Sequence, residues 1–153
     1  MGTAIAGPAL DLGTVVASRD SFAIMVQGNP MGTQVTEFSQ AAGGFLYADE
    51  TRIPVAGMEQ STEVVMSANG SVLSVTQRGK AAGNETTIDV TVSAGRATGK
   101  ASGPQPPAGA FGSVDINSPV PPGTLDDNTL TAIVGALPGA AGASWTLSML
   151  SSG

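Results

Sequence analysis

Apolar and polar residues alternate in short runs divided by turn residues along most of the chain. A period of two predicts antiparallel β-structure with one greasy and one wet face. Phe22, Ile24 and Val26 alternate with Ala23, Met25 and Gln27, and Gly28-Asn29-Pro30-Met31-Gly32 follows as a turn cluster. Thr33 to Gln40 is the returning strand, where the odd spacing of Val35 and Phe38 predicts a bulge or a weak register. After Gly43-Gly44, Phe45 to Val55 is a long strand with Pro54 near its end. Met58 to Ser67 then carries Val64 and Met66 on one face and Glu59, Ser61 and Glu63 on the other. Asn69-Gly70 joins it to Val72–Arg78 and is the strongest hairpin signal present. Beyond a loop at 79–84, Thr86, Ile88, Val90 and Val92 alternate cleanly with polar neighbours. Ala94-Gly95 turns the chain into Arg96–Ser102, giving a sequential meander of seven strands.

The remainder reads differently. Residues 103–109 are Pro-rich and predict a loop or linker, with Val114–Val120 as one further strand candidate. Leu130, Ile133, Val134 and Leu137 form one stripe at helical spacing, so a short helix is expected over about 124–137. Thr124 with Asp127 resembles a capping box, and Pro138-Gly139 stops the helix. Ser144 to Leu150, with Trp145, Leu147 and Met149 alternating, predicts a last strand. Ending straight after an apolar strand raises the expectation that the domain is incomplete at its C-terminus. Residues 1–20 read as a flexible leader or a degraded signal region, and 21–153 as one β-rich domain.

Composition narrows this picture. Leu, Ile, Val and Phe number only 33 among 153 residues, close to where chains stop burying enough to fold. Only 12% of residues are charged, which argues against disorder and for a sparsely packed fold. The six Lys and Arg are scattered and the formal charge is −6, so neither nucleic acid nor an anionic membrane surface is an expected partner. Cysteine and histidine are absent, which removes disulfides, thiolate nucleophiles, Ser-His catalysis and Cys/His metal sites. The carboxylate pairs Asp49/Glu50, Glu59/Glu63 and Asp126/Asp127 are accounted for by opposite faces, solvation and helix capping. Asp115-Ile-Asn117 opens like a calcium loop but lacks its later Gly and Glu. No catalytic, metal or cofactor site is therefore expected, and no apolar run has the length of a transmembrane helix.

The phrase Ser-Phe-Ala-Ile-Met-Val-Gln-Gly-Asn-Pro-Met-Gly (21–32) resembles the opening hairpin of a group of exported bacterial β-rich domains of unknown function. That group is distantly similar to the lipoprotein-carrier fold, a half-open sheet around a helical plug. Pro-Pro-Gly-Thr-Leu-Asp-Asp-Asn-Thr-Leu (121–130) is similar to its sheet-to-helix crossing, and Trp145 begins what looks like the strand restarting the sheet. The resemblance implies an N-terminal fragment of a periplasmic or otherwise exported protein of the bacterial envelope.

The expected fold is mainly β: an antiparallel meander forming a curved, half-open sheet with one short helix. The expected role is non-enzymatic. An apolar small molecule or lipid chain would lie on the apolar face, formed by Phe22, Ile24, Val26, Val64, Met66, Ile88 and Val90. The alternative is a structural module pairing through its sheet edges with partner strands.

Overall fold

A computed structural model describes residues 10–105, 110–133, 136–137 and 147–151. Eight antiparallel strands follow one another in chain order and in space: β1 (Ser18–Val26), β2 (Asn29–Ala41), β3 (Gly44–Ile53), β4 (Met58–Ser67), β5 (Val72–Ala81), β6 (Asn84–Ser93), β7 (Arg96–Gln105) and β8 (Ala110–Pro119). The sheet is open, with β1 and β8 at its edges.

Hairpin chemistry explains the meander. Gln27-Gly28, Ala82-Gly83 and Ala94-Gly95 place both central residues at positive φ, the two-residue turn whose twist suits antiparallel strands. The turn after β1 is thus tighter than the Gly28–Gly32 cluster suggested. Asn29 to Gly32 belong to β2, and the register slips between Ile24 and Met25, where Ile24 faces Gly32 and Met25 faces Pro30. Pro30 has no N–H to donate, so an irregular point of the ladder suits it. The bulge expected around Val35 and Phe38 is absent: that part of β2 is regular, and the two residues lie on opposite faces.

Register assigns every strand residue to a face. Phe38 lies opposite Tyr47, Tyr47 opposite Val64, Val64 opposite Val75, Val75 opposite Val90, and Val90 opposite Gly99. This row and its neighbours form the inner face. The outer face carries Arg19, Glu37, Glu63, Asp89, Lys100 and Asp115 along one row. Arg52, Arg78, Lys80 and Arg96 share that outer parity, so every cation of the chain faces away from the core. Its ion pairs, such as Arg78 with Asp89 at 2.8 Å, are half exposed or more and contribute little to stability. Asp115 and Asn117, the residues that began like a calcium loop, pair there with Lys100 and Arg96.

A lid covers part of the inner face. Leu10, Leu12, Val120, Leu125, Ile133 and Ala136 bury themselves against Phe38, Phe45, Tyr47, Val64, Met66, Val72, Val75, Val90 and Ala97. Phe38 and Phe45 stack with ring centres 5.4 Å apart. Gly70 is held at φ +84, and a side chain there would meet Leu10, Leu12 and Leu125, so these three lid leucines converge over the β4–β5 turn. Within the stretch read as a leader, Leu10 and Leu12 are buried in the core and Ser18–Asp20 open β1; residues 1–9 lie outside the described structure.

The lid departs from the expected helix over 124–137. Leu125–Asp126 form a short strand, β9, parallel to Met149–Leu150, β10. A 3₁₀ turn, Asp127–Thr129, leads into one helical turn, α1 (Leu130–Ile133). Asp126, not Thr124, is the capping residue: its Oδ1 accepts the Asn128 N–H at 3.0 Å. Thr124 is held elsewhere, its carbonyl accepting from the Val72 N–H and its hydroxyl donating to Pro121 O. These ladder bonds compete successfully with the first helical turn. Of the apolar stripe, Ile133 is buried and Leu130 is 39% exposed, while Val134 lies outside the described residues. Trp145 and the start of the last expected strand also lie outside them. The linker expected at 103–109 is shorter than drawn, because β7 runs to Gln105 and β8 resumes at Ala110; residues 106–109 are outside the described structure.

Candidate functional site

Among the described residues, the lid leaves about half of the inner face open. It sits over the ends of the strands near the 41–44, 67–72 and 93–96 turns, where the buried residues gather. Toward the opposite turns the inner face continues as Phe22, Gln34, Thr51, Gln60, Gly79, Thr86, Gly103 and Gly112, one residue from each strand. No described residue of this row or of those beyond it toward the turns is charged. Glycine at Gly79, Gly103 and Gly112 keeps the floor low, and Phe22 (52% exposed) and Val114 (51% exposed) stand at its two margins.

Six of the seven residues expected on an apolar face lie on this one face: Phe22, Ile24, Val64, Met66, Ile88 and Val90. The structure divides them by environment. Val64 and Met66 are fully buried and Val90 nearly so, all within the lid's core. Phe22 is exposed, while Ile24 and Ile88 are half-buried toward the open half. Val26 lies beyond the register slip, paired with Asn29 at the turn and 50% exposed. Ile53 and Met58, opposite each other, and Val114 extend the open half.

Between lid and open floor runs a row that begins Asp20, Thr36, Asp49, Thr62, Gln77, Ile88. Asp49, Thr62 and Gln77 are buried, as is Asp126 from the lid. A groove of about 270 Å³ opens beside this row under Ala132 of α1, lined by Ser18, Asp20, Phe22, Thr36, Phe38 and Tyr47 among others. Burial lifts the Asp49 carboxyl above its ordinary value, and the Asp126 charge adds to this; the Tyr47 and Thr62 hydroxyls act in the opposite sense. Thr62 Oγ1 is itself buried outside good hydrogen-bond geometry, so its effect on Asp49 is one of proximity. The Tyr47 phenol is pushed up to about 12, first by burial and then by the Asp49 charge and the hydrogen bond to it.

These acids went unnoticed as a group in the sequence. Asp49 shares its parity with Phe45 and Tyr47, a signal that was legible, but the approach of Asp126 from the lid is tertiary. Among the described residues no cluster of three or more acidic groups is arranged to hold a metal ion. No described helix is long and apolar enough to cross a membrane.

The raised Asp49 carboxyl has a measurable consequence. The folded state holds the proton more tightly than the unfolded chain, so stability is intact below the unfolded value near 3.8 and falls as pH rises through the higher folded value. Asp49→Asn keeps an acceptor for Tyr47 and removes the charge. Its melting temperature should exceed that of the wild type at pH 7, with the gap closing toward pH 4 in thermal melts. A gap that does not change with pH contradicts the burial of this carboxylate.

No protein-family model, curated protein or solved structure matches this chain.

Proposed function

We propose that this protein is a non-catalytic binding module that holds an apolar chain on the uncovered half of its inner face. The reading rests on one observation: a charge-free floor spans all eight strands and is left open by the described residues, while the outer face carries every cation. Phe22, Ile24, Ile53, Met58 and Val114 supply the floor's apolar part, and a large exposed apolar patch usually marks a binding site.

Charge selects the ligand further. The charged strand residues of the inner face are both acids, Asp20 beside the groove and Asp49 behind it, while Lys80 and Glu59 reach the far end of the floor from the outer face. An anionic head seated at the groove would be repelled, so the ligand is an apolar chain whose neutral head lies there, rather than a fatty acid. Residence in the bacterial envelope belongs to the same proposal and draws on the resemblance of residues 21–32 and 121–130 to exported β-rich domains.

Calorimetric titration with a neutral monoacylglycerol and with the fatty acid of equal chain length tests this. Saturable binding is expected for the neutral compound, and weaker binding for the acid at pH 7. Val114→Asp places a charge on an exposed margin of the floor and should weaken binding about tenfold, roughly 1.4 kcal/mol. Absence of saturable binding, or binding indifferent to Val114→Asp, overturns the reading.

A second reading, pairing through a sheet edge, is favoured by one specific feature. From Ser21 to Val26 the edge strand β1 contains no charge, proline or glycine. Natural sheet edges usually carry such protection.

A further inference from the structure

We infer that β1 is the site of self-association, pairing antiparallel with β1 of a second copy about a two-fold axis at Ala23. This rests on the edge-pairing reading and is independent of the ligand reading.

The two edges of the sheet differ in chemistry. On β8, Gly112, Asp115 and Pro119 interrupt the strand, and the Asp115 side chain is 86% exposed. A strand added there would meet a charge and, at Pro119, a missing donor. On β1, Phe22, Met25 and Val26 are 52%, 53% and 50% exposed, and the charges, Arg19 and Asp20, stand together near its start. The register slip next to β1 places its extra residue in β2, between Pro30 and Gly32, so β1 itself pairs without interruption from Ser18 to Ile24.

The occupant follows from this one-sided charge pattern. In an antiparallel pair centred on Ala23, Arg19 of one copy lies opposite Gln27 of the other, and Asp20 opposite Val26. Like charges never meet. Phe22 lies opposite Ile24, and Ile24 opposite Phe22, on the inner face, so two aromatic–β-branched pairs form at once. Such cross-strand pairs are favourable, whereas like charges directly opposite are not. At the axis Ala23 meets Ala23 on the outer face, where two small side chains fit. A two-fold contact of this kind is self-complementary and closes at the dimer, leaving the protected β8 edges outermost.

The natural absence of cysteine makes the test direct. Sedimentation of the full chain should show a monomer–dimer equilibrium. Ala23→Cys should cross-link as a dimer under mild oxidation, and Ser113→Cys on β8 should not. Ala23→Lys sets two ammonium groups against each other and should leave a monomer with an unchanged circular dichroism spectrum; Ser21→Lys with Met25→Lys, which sets lysine against lysine on both sides of the axis, is the second variant should that one misfold. A monomer at all concentrations whose β1 amides exchange rapidly overturns the second-copy assignment while leaving the edge free for a different strand. A dimer that resists both lysine variants, or that cross-links through Ser113→Cys, overturns the inference and the β1 edge reading together.

Discussion

Met66→Ala is expected to destabilise the fold by about 2–5 kcal/mol, the range for emptying a buried methionine site. Met66 is fully buried on β4, between Phe45 on one neighbouring strand and Val72 on the other. The lid's leucines close over the same end of the sheet. A domain of this size is typically stable by about 5–15 kcal/mol, so the loss would be a large share of the total. The scarcity of large aliphatic residues makes recovery by repacking difficult, because few neighbours can move into the space. Urea unfolding should show a much lower midpoint with an unchanged slope. Met66→Leu conserves volume and should cost less than about 1.5 kcal/mol. Met25→Ala, at a site 53% exposed, should be close to neutral. Equal losses at Met66 and Met25 would remove Met66 from the core and, with it, the placement of the lid.

Gly44→Ala is the second large effect expected. A β-carbon at Gly44 would sit 1.9 Å from the Met66 carbonyl oxygen, a backbone atom that cannot swing aside. The strands would have to part at the start of the β3–β4 ladder, where Gly44 faces Ser67. Overpacking of this kind costs roughly 1–3 kcal/mol or more. Gly79→Ala makes the informative comparison: there the obstacle is the Thr86 hydroxyl at 2.4 Å, the end of a side chain that can rotate. The Gly79 variant should therefore lose clearly less in the same unfolding measurement. A Gly44 variant as stable as the Gly79 variant would contradict the close approach of β3 and β4.

Both predictions depend on information of different origin. That Met66 and Val64 face one way was readable, since Glu59, Ser61 and Glu63 occupy the alternate positions. Register then needed only the short turns to carry this parity from strand to strand. Gly44 was readable as a break but not as a point of close approach, because the obstructing carbonyl is more than twenty positions away in the chain. The acid row shows the same division. Asp49 could be placed beside Tyr47 by parity alone, while its raised carboxyl depends on the lid above it. The helical stripe at Leu130, Ile133 and Leu137 was real as a pattern, with Ile133 buried. Its predicted length failed because Thr124 and Leu125 hydrogen-bond to distant backbone instead, and Asp126 caps a turn that starts only after them.

Alternation between turns, a property of adjacent residues, was enough to determine the meander, its two faces and the separation of the cations from the core. A side chain's face follows from its parity, and parity needs no distant partner. Only the tertiary structure decided that Leu10 and Leu12 belong to the core, that the described lid covers one half of the inner face, and that the uncharged stretch Ser21–Val26 stands on a sheet edge. Each of these depends on which distant segment arrives above or beside a strand, and local periodicity carries no information about that arrival.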